Sequence, residues 1–414
     1  MLTYSEAVAG ITAMIHPLPA VRLDLQTVRS GQVLAETVMA QLDLPPTATA
    51  ARDGFAFSRE SLENGGKLQV VGFVPAGQAF SCVLQKGEAV RIMTGAPLPD
   101  GSDTVVPLEG TEQREGQIKL IAAPSVGAYV RQQGEDFRCG DRMLAKGTLI
   151  DAGAIGLLAP AGIQTLKIYP RPQVAILATG DELIRLDENT RPNTIIGSNA
   201  YMLEARLREE GVEPLLLGIA QDHPRTLEDQ IARGLCTDLL ITTGGVSTGD
   251  RDLVKETLSR FNFVESFSKV AIRPGKSTLF GTVDNVPVFG LPGNPNAAAV
   301  TFELFVRPAL RRLSGYHTPL APCIKAVLAG KVPGGRKYQQ FLWGRLGIVA
   351  GKLNFYPTRH RKSGLLHDLP GAEALLPVAE ESPGLAPGSE VEIMMLRLPG
   401  SGVNRAGADQ LQKY

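Results

Sequence analysis

An alternation of strand, loop and helix between residues 173 and 313 constrains the fold more than any other feature of this sequence. Four apolar runs lack the in–out pattern of a half-exposed strand and resemble parallel strands buried on both faces: Gln173–Ala178, Pro214–Ala220, Asp238–Thr243 and Val286–Leu291. Each run ends in a polar or Gly-rich loop, and a segment of helical periodicity follows. This alternation predicts a doubly wound α/β domain around a parallel sheet.

The segments between the strands carry start and stop signals of helices. Ser198 is expected to cap a helix that Gly211 ends in a left-handed conformation. Pro224 suits a first helical turn, and Asp252 is expected to start the third helix. A fourth helix is expected from about Pro295.

The loops after the strands contain the residues that could bind a ligand or take part in catalysis. Ligands of such sheets bind beyond the carboxyl ends of the strands, where glycines let backbone N–H groups surround an oxyanion. Carboxylates at the same edge would repel that anion unless a cation lay between them. One such loop is more often a simple turn, but three on one edge favour a phosphorylated ligand with a divalent metal. The loop residues are Thr179, Gly180, Glu182, Asp222, Gly244, Gly245, Ser247, Asp252, Pro292, Gly293, Asn294 and Pro295.

Composition excludes several classes of protein. The chain has 414 residues, enough for more than one domain, and 42 basic residues balance 42 acidic ones. This zero net charge disfavours partners such as nucleic acid or an anionic membrane. The four cysteines are far apart in sequence, which is typical of a reduced, cytoplasmic protein. Thr3 and Glu6 form a capping box before a short helix, a pattern unlike that of a signal peptide.

Shifts in pattern divide the chain into four expected domains. Residues 1–40 and 140–169 are expected to form one discontinuous domain, into which a small β domain of residues 41–139 is inserted. The α/β domain covers residues 170–315, and a C-terminal β domain covers residues 318–398.

Two literal motif matches indicate other functions but lack the required context. Gly245–Gly249 reads G-x-S-x-G, the nucleophile elbow of a serine hydrolase with Ser247 as nucleophile. Asp250 and Asp252 directly after the serine would oppose an oxyanion there. Pro274–Ser277 resembles the end of a P-loop, but its first glycine is missing. Lys276, beside Arg273, could still contact an anion as a point charge.

Three further loops are ordinary turns by composition, although each contains a side chain that could serve a site. The first two contain Asp53 and Thr94. The third, residues 358–364, places up to four positive charges beside Ser363. A solvated basic loop is the default interpretation of the third loop, and an oxyanion site is the alternative.

Taken together, these motifs resemble those of one family. The segments that carry the resemblance are VAILATGDEL, SNAYML, TGGVSTGDRD, PGK and LPGNP, in this order, with Asp53-Gly54, Met93–Pro97 and Gly134–Asp136 upstream. They resemble the molybdopterin molybdenumtransferases of the MoeA type, including the E domain of gephyrin. The resemblance covers nearly the whole chain.

The resemblance implies both a fold and an activity. Members of this family are elongated homodimers of four domains that bind adenylylated molybdopterin and molybdate with Mg²⁺. Molybdate is inserted into the dithiolene of the pterin, and AMP is released. A molybdopterin adenylyltransferase is the implied upstream partner.

Carried over by motif, the resemblance implies roles for particular residues. The implied catalytic residues are Asp53, Thr94, Glu182, Asp252 and Lys276, of which Asp53 and Thr94 would reach over from the other subunit. The implied metal ligands are Glu182, Asp222 and Asp252. Residues implied to bind the pterin nucleotide are Thr179, Gly180, Asp222, Gly244, Gly245, Ser247, Arg273, Pro292, Gly293, Asn294, Pro295 and Ser363.

The chain departs from the family pattern at several positions. Thr49–Arg52 replaces the usual Asn-Ser before Met-Asp-Gly, and Ala297 replaces a serine. Trp343 stands where the family has an arginine, and Arg361-Lys362 precede Ser363 in place of Gln-Gly. A catalytically reduced paralogue that binds the pterin nucleotide or acts as a scaffold is therefore an alternative.

Overall fold

The computed structural model describes residues 1–62, 66–221, 223–245, 253–335, 337–358 and 366–399. The chain divides into two compact units. The large unit comprises Met1–Val21 and Tyr169–Tyr414, and the small unit comprises Arg22–Ile168. None of the helices in the described part of the chain is long and apolar enough to cross a membrane.

The centre of the large unit is a six-stranded sheet that contains all four predicted strands. Its strands, in spatial order, are Leu215–Ala220, Val174–Thr179, Leu239–Thr243, Val286–Leu291, Leu279–Val283 and Val264–Phe267. The first four are parallel, and the last two are antiparallel additions at one edge. Thr243 pairs with Ala178 on one side and Leu291 on the other, so the carboxyl ends of the strands meet at one edge.

Helices cover both faces of this sheet, which confirms the doubly wound fold. Ile176 and Ile241 point into a core with Leu203 and Leu207 of the helix Ser198–Glu209. The alternate strand residues pack on the other face against two further helices, Pro224–Gly234 and Leu253–Ser259. Because successive side chains of a strand point to opposite faces of the sheet, one apolar run contributes residues to both cores.

Two helix starts and one helix stop can be compared with the sequence. Gly211 has φ +75° and ends its helix as expected. The prediction that Ser198 caps this helix is wrong, because Ser198 is already helical and the cap residue, Gly197, makes no side-chain capping bond. Pro224 occupies the first turn as expected. The predicted helix start at Asp252 lies outside the described residues.

The helix expected from Pro295 runs to Leu313 with an unpredicted break in its hydrogen bonding. It consists of an α-helix, a π-helical segment and a second α-helix: Pro295–Thr301, Phe302–Val306 and Arg307–Leu313. Glu303 in the π segment is buried and lies 3.5 Å from Arg206 and 3.1 Å from Arg307. Burial raises the pKa of Glu303, although both arginines oppose the shift.

The N-terminal helix, Tyr4–Met14, belongs to the large unit. The capping box of Thr3 and Glu6 is present, as expected. Ala7, Val8 and Ile11 pack in the core that contains the sheet, since they form the apolar face of this helix. The predicted discontinuous domain placed residues 1–40 together with residues 140–169. Residues 1–21 belong instead to the large unit. The other boundaries of the four-domain division stay a prediction.

The C-terminal β domain forms a closed sheet within the large unit. Its strands are Cys323–Leu328, Gln339–Val349, Lys352–Pro357, Ala374–Val378 and Glu390–Met395. Gln339–Val349 pairs with both Lys352–Pro357 and Ala374–Val378, which closes the sheet into a barrel. Ile272–Arg273 pairs with Gln339-Gln340 and extends this sheet. Two short strand pairs also lie in the large unit: Val332–Pro333 with Gly384–Leu385 in this β domain, and Leu183–Ile184 with Ile195–Ile196 in the α/β part.

Short strands dominate the small unit, as expected for residues 41–139. A six-stranded sheet comprises Gly54–Phe57, Lys67–Val74, Glu88–Ile92, Thr104–Pro107, Thr111–Arg114 and Gln117–Leu120. The other strands are Val21–Asp24, Val33–Leu34, Val38–Met39, Thr49–Ala50, Val130–Arg131, Arg142–Leu144 and Thr165–Tyr169. One α-helix, Ala152–Leu158, starts at Asp151, whose side chain accepts from the Ala154 N–H. Short 3₁₀ turns in the chain are Leu25–Thr27, Arg59–Ser61, Leu108–Gly110 and Leu366–Asp368.

Candidate functional site

A cavity of about 650 Å³ lies at the carboxyl ends of the parallel strands, where the sequence places the ligand. We call it the main cavity. Three strand-end turns and one loop beside the barrel form its walls. The lining residues are Thr179, Gly180, Glu182, Gly244, Gly245, Ile272, Arg273, Pro274, Gly275, Lys276, Ser277, Pro292, Gly293, Asn294, Ala297 and Tyr338.

The turn after Leu239–Thr243 needs glycine at two consecutive positions. Gly244 and Gly245 have φ +90° and +68°, which side chains rarely adopt. A Cβ on Gly244 would lie 2.3 Å from the Thr179 carbonyl oxygen, and one on Gly245 would lie 2.8 Å from Thr179 Oγ1. The two turns are therefore packed backbone against backbone, which leaves the space above them for a ligand.

The turn Pro292–Pro295 leads into the long helix. Asn294 caps this helix, since its side-chain oxygen accepts from the Asn296 N–H at 3.1 Å, and Pro295 occupies the first turn. The amide of Asn199 joins this turn to the neighbouring strand. Its Nδ2 donates to Thr243 Oγ1 at 2.8 Å and to the Gly293 carbonyl at 2.9 Å. Three segments distant in sequence thus meet at one edge of the sheet.

Positive charge enters the main cavity from the loop Arg273–Ser277. The strand Ile272–Arg273 pairs with the barrel, and this pairing holds the loop against the cavity. The Lys276 ammonium lies 5.4 Å from the ring centre of Tyr338, which also lines the cavity. Arg273 and Lys276 face one carboxylate among the described lining residues, that of Glu182. Two positive charges against one negative charge in the described lining favour an anionic ligand.

The predicted metal site is only partly described. Glu182 lines the main cavity, whereas Asp222 and Asp252 lie outside the described residues, as do Ser247 and Ser363. The described ranges contain no group of three or more His, Cys, Asp or Glu side chains that could hold a metal ion. One carboxylate alone does not form a Mg²⁺ site, which needs several oxygen ligands.

The structure places Asp53 and Thr94 in the small unit, where they form a hydrogen-bonded pair. Asp53 Oδ1 accepts from the Thr94 N–H and from Thr94 Oγ1, each at 2.7 Å. The backbone bond, then the hydroxyl bond and then the nearby Arg91 lower the pKa of Asp53. The lowered pKa favours the ionised form of the carboxylate, and both residues are exposed, so the carboxylate is accessible to a reacting group.

Sequence reasoning assigned no role to two residues that shape the site. Asn199 occurs in the SNAYML motif, but nothing local indicates that its amide crosses to Thr243 and Gly293. Tyr338 lies in a Gly/Lys-rich segment without a motif, 62 positions after Lys276, and faces its ammonium. Both contacts arise from the tertiary fold.

The fold and cavity together define an α/β anion-binding protein with appended β structure, and family models identify the type. The MoeA N-terminal region, domains I and II, matches residues 2–162. A probable molybdopterin binding domain matches residues 175–312, and the MoeA C-terminal region, domain IV, matches residues 325–396.

Individual relatives agree with these matches. The chain is 35% identical to a molybdopterin molybdenumtransferase of Nostoc sp. over 89% of its own length and 87% of the relative. It is 34% identical to molybdopterin molybdenumtransferase 2 of Mycobacterium tuberculosis, over 89% and 93% of the two chains. A crystal structure of the molybdopterin biosynthesis MoeA protein from Pyrococcus horikoshii superposes with TM-score 0.83 at 27% identity, over 96% of this chain and 100% of that chain. The chain belongs to the molybdopterin molybdenumtransferase family.

These findings do not favour the two alternatives from the sequence. The family matches cover residues 2–162, 175–312 and 325–396, and these ranges include every position at which the chain departs from the family pattern. The two relatives described above are named molybdenumtransferases, which gives the serine hydrolase no support. Ser247, its proposed nucleophile, lies outside the described residues.

Proposed function

We propose that this protein acts in molybdenum cofactor biosynthesis and inserts molybdate into adenylylated molybdopterin, with release of AMP. The observation that supports this most is the main cavity, where strand-end glycines, Arg273 and Lys276 converge. The substrate class follows from the names of the relatives together with this anion-favouring lining.

The described side chains suit the chemistry of a phosphoanhydride. Attack of an oxygen on phosphorus releases AMP, and negative charge grows on the phosphate oxygens during this step. Arg273 and Lys276 would neutralise that charge, and the Gly245 N–H would add one backbone donor at a fixed position. Preorganised groups of this kind stabilise a transition state without rearrangement.

Asp53 would act on the reacting oxygen, held ready by Thr94. The two 2.7 Å hydrogen bonds keep the carboxylate ionised and oriented. We propose that it completes the site of the other subunit in a homodimer, as the family resemblance implies. Light scattering of the purified protein should give the mass of two chains, and a monomer would contradict this arrangement.

AMP release from the pterin nucleotide and molybdate tests the proposed function. Asp53→Ala should lower its rate on the order of 100-fold, the range of a positioned acid–base group. Asp100→Ala removes an exposed carboxylate of the same unit and should leave the rate unchanged. Binding of the nucleotide without any AMP release by the wild type would contradict an insertase and match the reduced paralogue.

We also propose that Mg²⁺ binds at Glu182 with Asp222 and Asp252. Glu182 borders a cavity that otherwise favours anions, and a cation would relieve its repulsion from a phosphate. The nucleotide should therefore bind more tightly with Mg²⁺ than in EDTA. Equal affinity in both conditions would remove the metal from the proposal.

We further propose an upstream partner and a cytoplasmic location for this protein. A molybdopterin adenylyltransferase would supply the nucleotide, and a pull-down with that enzyme should retain this protein. We expect both enzymes in the cytoplasmic fraction of lysed cells. Failure of direct transfer between the two purified enzymes would contradict the partnership.

A further inference from the structure

A lysine and a tyrosine from distant parts of the large unit meet at the main cavity. The Nζ of Lys276 lies 5.4 Å from the centre of the Tyr338 ring, and both residues line the cavity. The Nζ of Lys337 lies 5.8 Å from the same ring centre, but Lys337 is not among the described lining residues. The negative face of an aromatic ring attracts an ammonium at such distances. One ring therefore attracts two cations, and one of these belongs to the site.

The path of the backbone explains why Lys276 and Tyr338 meet. The strand Ile272–Arg273 pairs in parallel with the start of Gln339–Val349, which places Tyr338 at the beginning of the shorter strand. After this strand the chain turns back, and the Lys276 carbonyl accepts from the Val270 N–H at 3.0 Å. The lysine thereby returns to the strand beginning where the ring lies.

The backbone of this turn is held in place, whereas the lysine side chain is long and flexible. Gly275 has φ +108°, and an added Cβ would lie 2.4 Å from Thr301 Cγ2. Thr278 Oγ1 donates to the Gly275 carbonyl at 2.7 Å. An anion that binds Lys276 must still restrict the rotamers of its side chain, and this restriction costs free energy. A contact that restricts them beforehand lowers the cost of binding.

An aromatic ring can restrict an ammonium without cancelling its charge. A carboxylate at the same place would also hold the ammonium, but it would neutralise the charge that an anion needs. Among the described residues, none forms an ion pair with Lys276. Its positive charge is therefore available to a ligand while the ring limits where the ammonium lies.

We propose that Tyr338 is a positioning residue that holds the Lys276 ammonium in the main cavity through the face of its ring. This inference rests on the proposed function, which supplies two kinds of anion, the phosphates of the nucleotide and molybdate. The role belongs to the ring, and the phenolic hydroxyl is not required for it.

Substitutions of the ring test this role. Calorimetry measures the affinities for AMP and for molybdate, and the anion whose affinity Lys276→Gln lowers becomes the probe. Tyr338→Leu should lower the affinity for the probe about three- to fivefold, the size expected of a cation–π contact at a partly exposed site. Tyr338→Phe keeps the ring face and should stay within about twofold of the wild type. If Lys276→Gln lowers neither affinity, the inference is wrong.

Fluorinated phenylalanines at position 338 separate the charge of the ring face from its packing. Each added fluorine weakens the attraction of the ring for a cation and changes the shape little. The affinity should therefore fall stepwise from phenylalanine to its mono-, di- and trifluorinated forms. In the Lys276→Gln background the same series should be flat, because the cation that the ring holds is gone. Lys337→Gln is the matched control and should keep the stepwise fall.

The outcomes distinguish this inference from the proposed function. A flat series in the presence of Lys276, or a stepwise fall that persists in Lys276→Gln, overturns the role of Tyr338. A series that becomes flat in Lys337→Gln also overturns it. Circular dichroism checks that each variant folds. A wild type that shows the stepwise series but releases no AMP from the pterin nucleotide contradicts the proposed function and leaves the role of Tyr338 standing. If the wild type binds neither anion, both proposals fail.

Discussion

At the scale of single residues, the pair Asp53 and Thr94 shows how two hydrogen bonds prepare a carboxylate. Both bonds end on the same oxygen, Oδ1, at 2.7 Å. Among the described residues, no side chain or backbone group donates to Oδ2, so this oxygen is available to a reacting group. Hydrogen bonds to the charged form lower a carboxyl pKa. A group with a lowered pKa contributes stability above its ordinary pKa, and that contribution is lost as the pH falls through the lowered value.

Thr94→Val should raise the pKa of Asp53 towards its ordinary value without reaching it. The substitution removes the hydroxyl bond but keeps the larger backbone contribution of the Thr94 N–H. The acid-side stability contributed by Asp53 should accordingly disappear at a higher pH than in the wild type. Carbon-detected NMR titration of the carboxyl group measures the shift. Thr94→Ser keeps the hydroxyl and serves as the control, and an unchanged pKa in Thr94→Val would contradict the assignment.

Candidate site residues could be named wherever a local pattern marks them. Asp53, Thr94 and Gly244 stand in short Gly-containing motifs, and the structure gives each a defined place. Asn199 could not be assigned a role, because its partners Thr243 and Gly293 are 44 and 94 positions away. Contacts at such distances depend on strand order, which no single motif encodes.

At the scale of elements, the turns at the ends of the parallel strands determine the shape of the main cavity. Gly244 lies against the backbone of Thr179, and its N–H donates to the Leu291 carbonyl at 3.2 Å. A Cβ added to Gly293, on the next turn, would lie 3.6 Å from the Gly244 Cα. Glycine is therefore required by geometry at the first position and only tolerated at the second.

Gly244→Ala should destabilise the large unit by more than about 2 kcal/mol, since strained backbone and a clash act together. Its Cβ would meet the Thr179 carbonyl oxygen at 2.3 Å at a φ of +90°. Gly293→Ala makes an ordinary contact and should cost less than about 1 kcal/mol. Urea unfolding of the two variants measures both effects. Similar losses in the two variants would contradict this account of the turn.

Element type could be predicted from the sequence more readily than element detail. Continuous apolar runs identified all four parallel strands, and three of them are largely buried, as such runs predict. The expectation of burial on both faces is wrong for Leu215–Ala220, because this strand lies at the sheet edge and exposes Leu215 and Leu216. The π-helical segment Phe302–Val306 could not be predicted, since its composition is that of an ordinary apolar helix. Ala374–Val378 is likewise hard to predict, because a short strand in a Pro-rich segment resembles a loop.

At the scale of the whole molecule, each unit has its own hydrophobic cores. One core of the large unit joins the N-terminal helix, the sheet and the barrel through Ile11, Ile241 and Phe341. The small unit has separate cores, one of which contains Ile150 and Leu158. A shared core makes its elements unfold together, whereas separate cores allow separate transitions.

Two matched substitutions should assign these transitions. Ile11→Ala and Ile150→Ala each remove a buried isoleucine, 0% and 1% exposed, and should each cost about 2 to 5 kcal/mol. Ile11→Ala should lower the unfolding transition of residues 169–399, and Ile150→Ala that of residues 22–168. Hydrogen exchange during denaturation, followed by mass spectrometry, reads the two regions separately. Loss of protection in residues 22–168 caused by Ile11→Ala would contradict the grouping.

The order of β and α/β segments along the chain could be predicted, but the unit to which its first residues belong could not. The apolar stripe of the N-terminal helix is visible in the sequence, but a stripe does not specify which core it enters. Ala7, Val8 and Ile11 pack with residues almost 300 positions away, such as Leu304 and Phe305. Only the folded chain shows this association.

The chain contains a single tryptophan, and a hydrogen bond links it to a residue next to the main cavity. Trp343 is buried, and its Nε1 donates at 3.0 Å to Asn296 Oδ1, directly before cavity-lining Ala297. Indole emission depends on such a bond and on its apolar surroundings. The native protein thus contains one indole fluorophore near the main cavity, and titrations can be followed optically without a label.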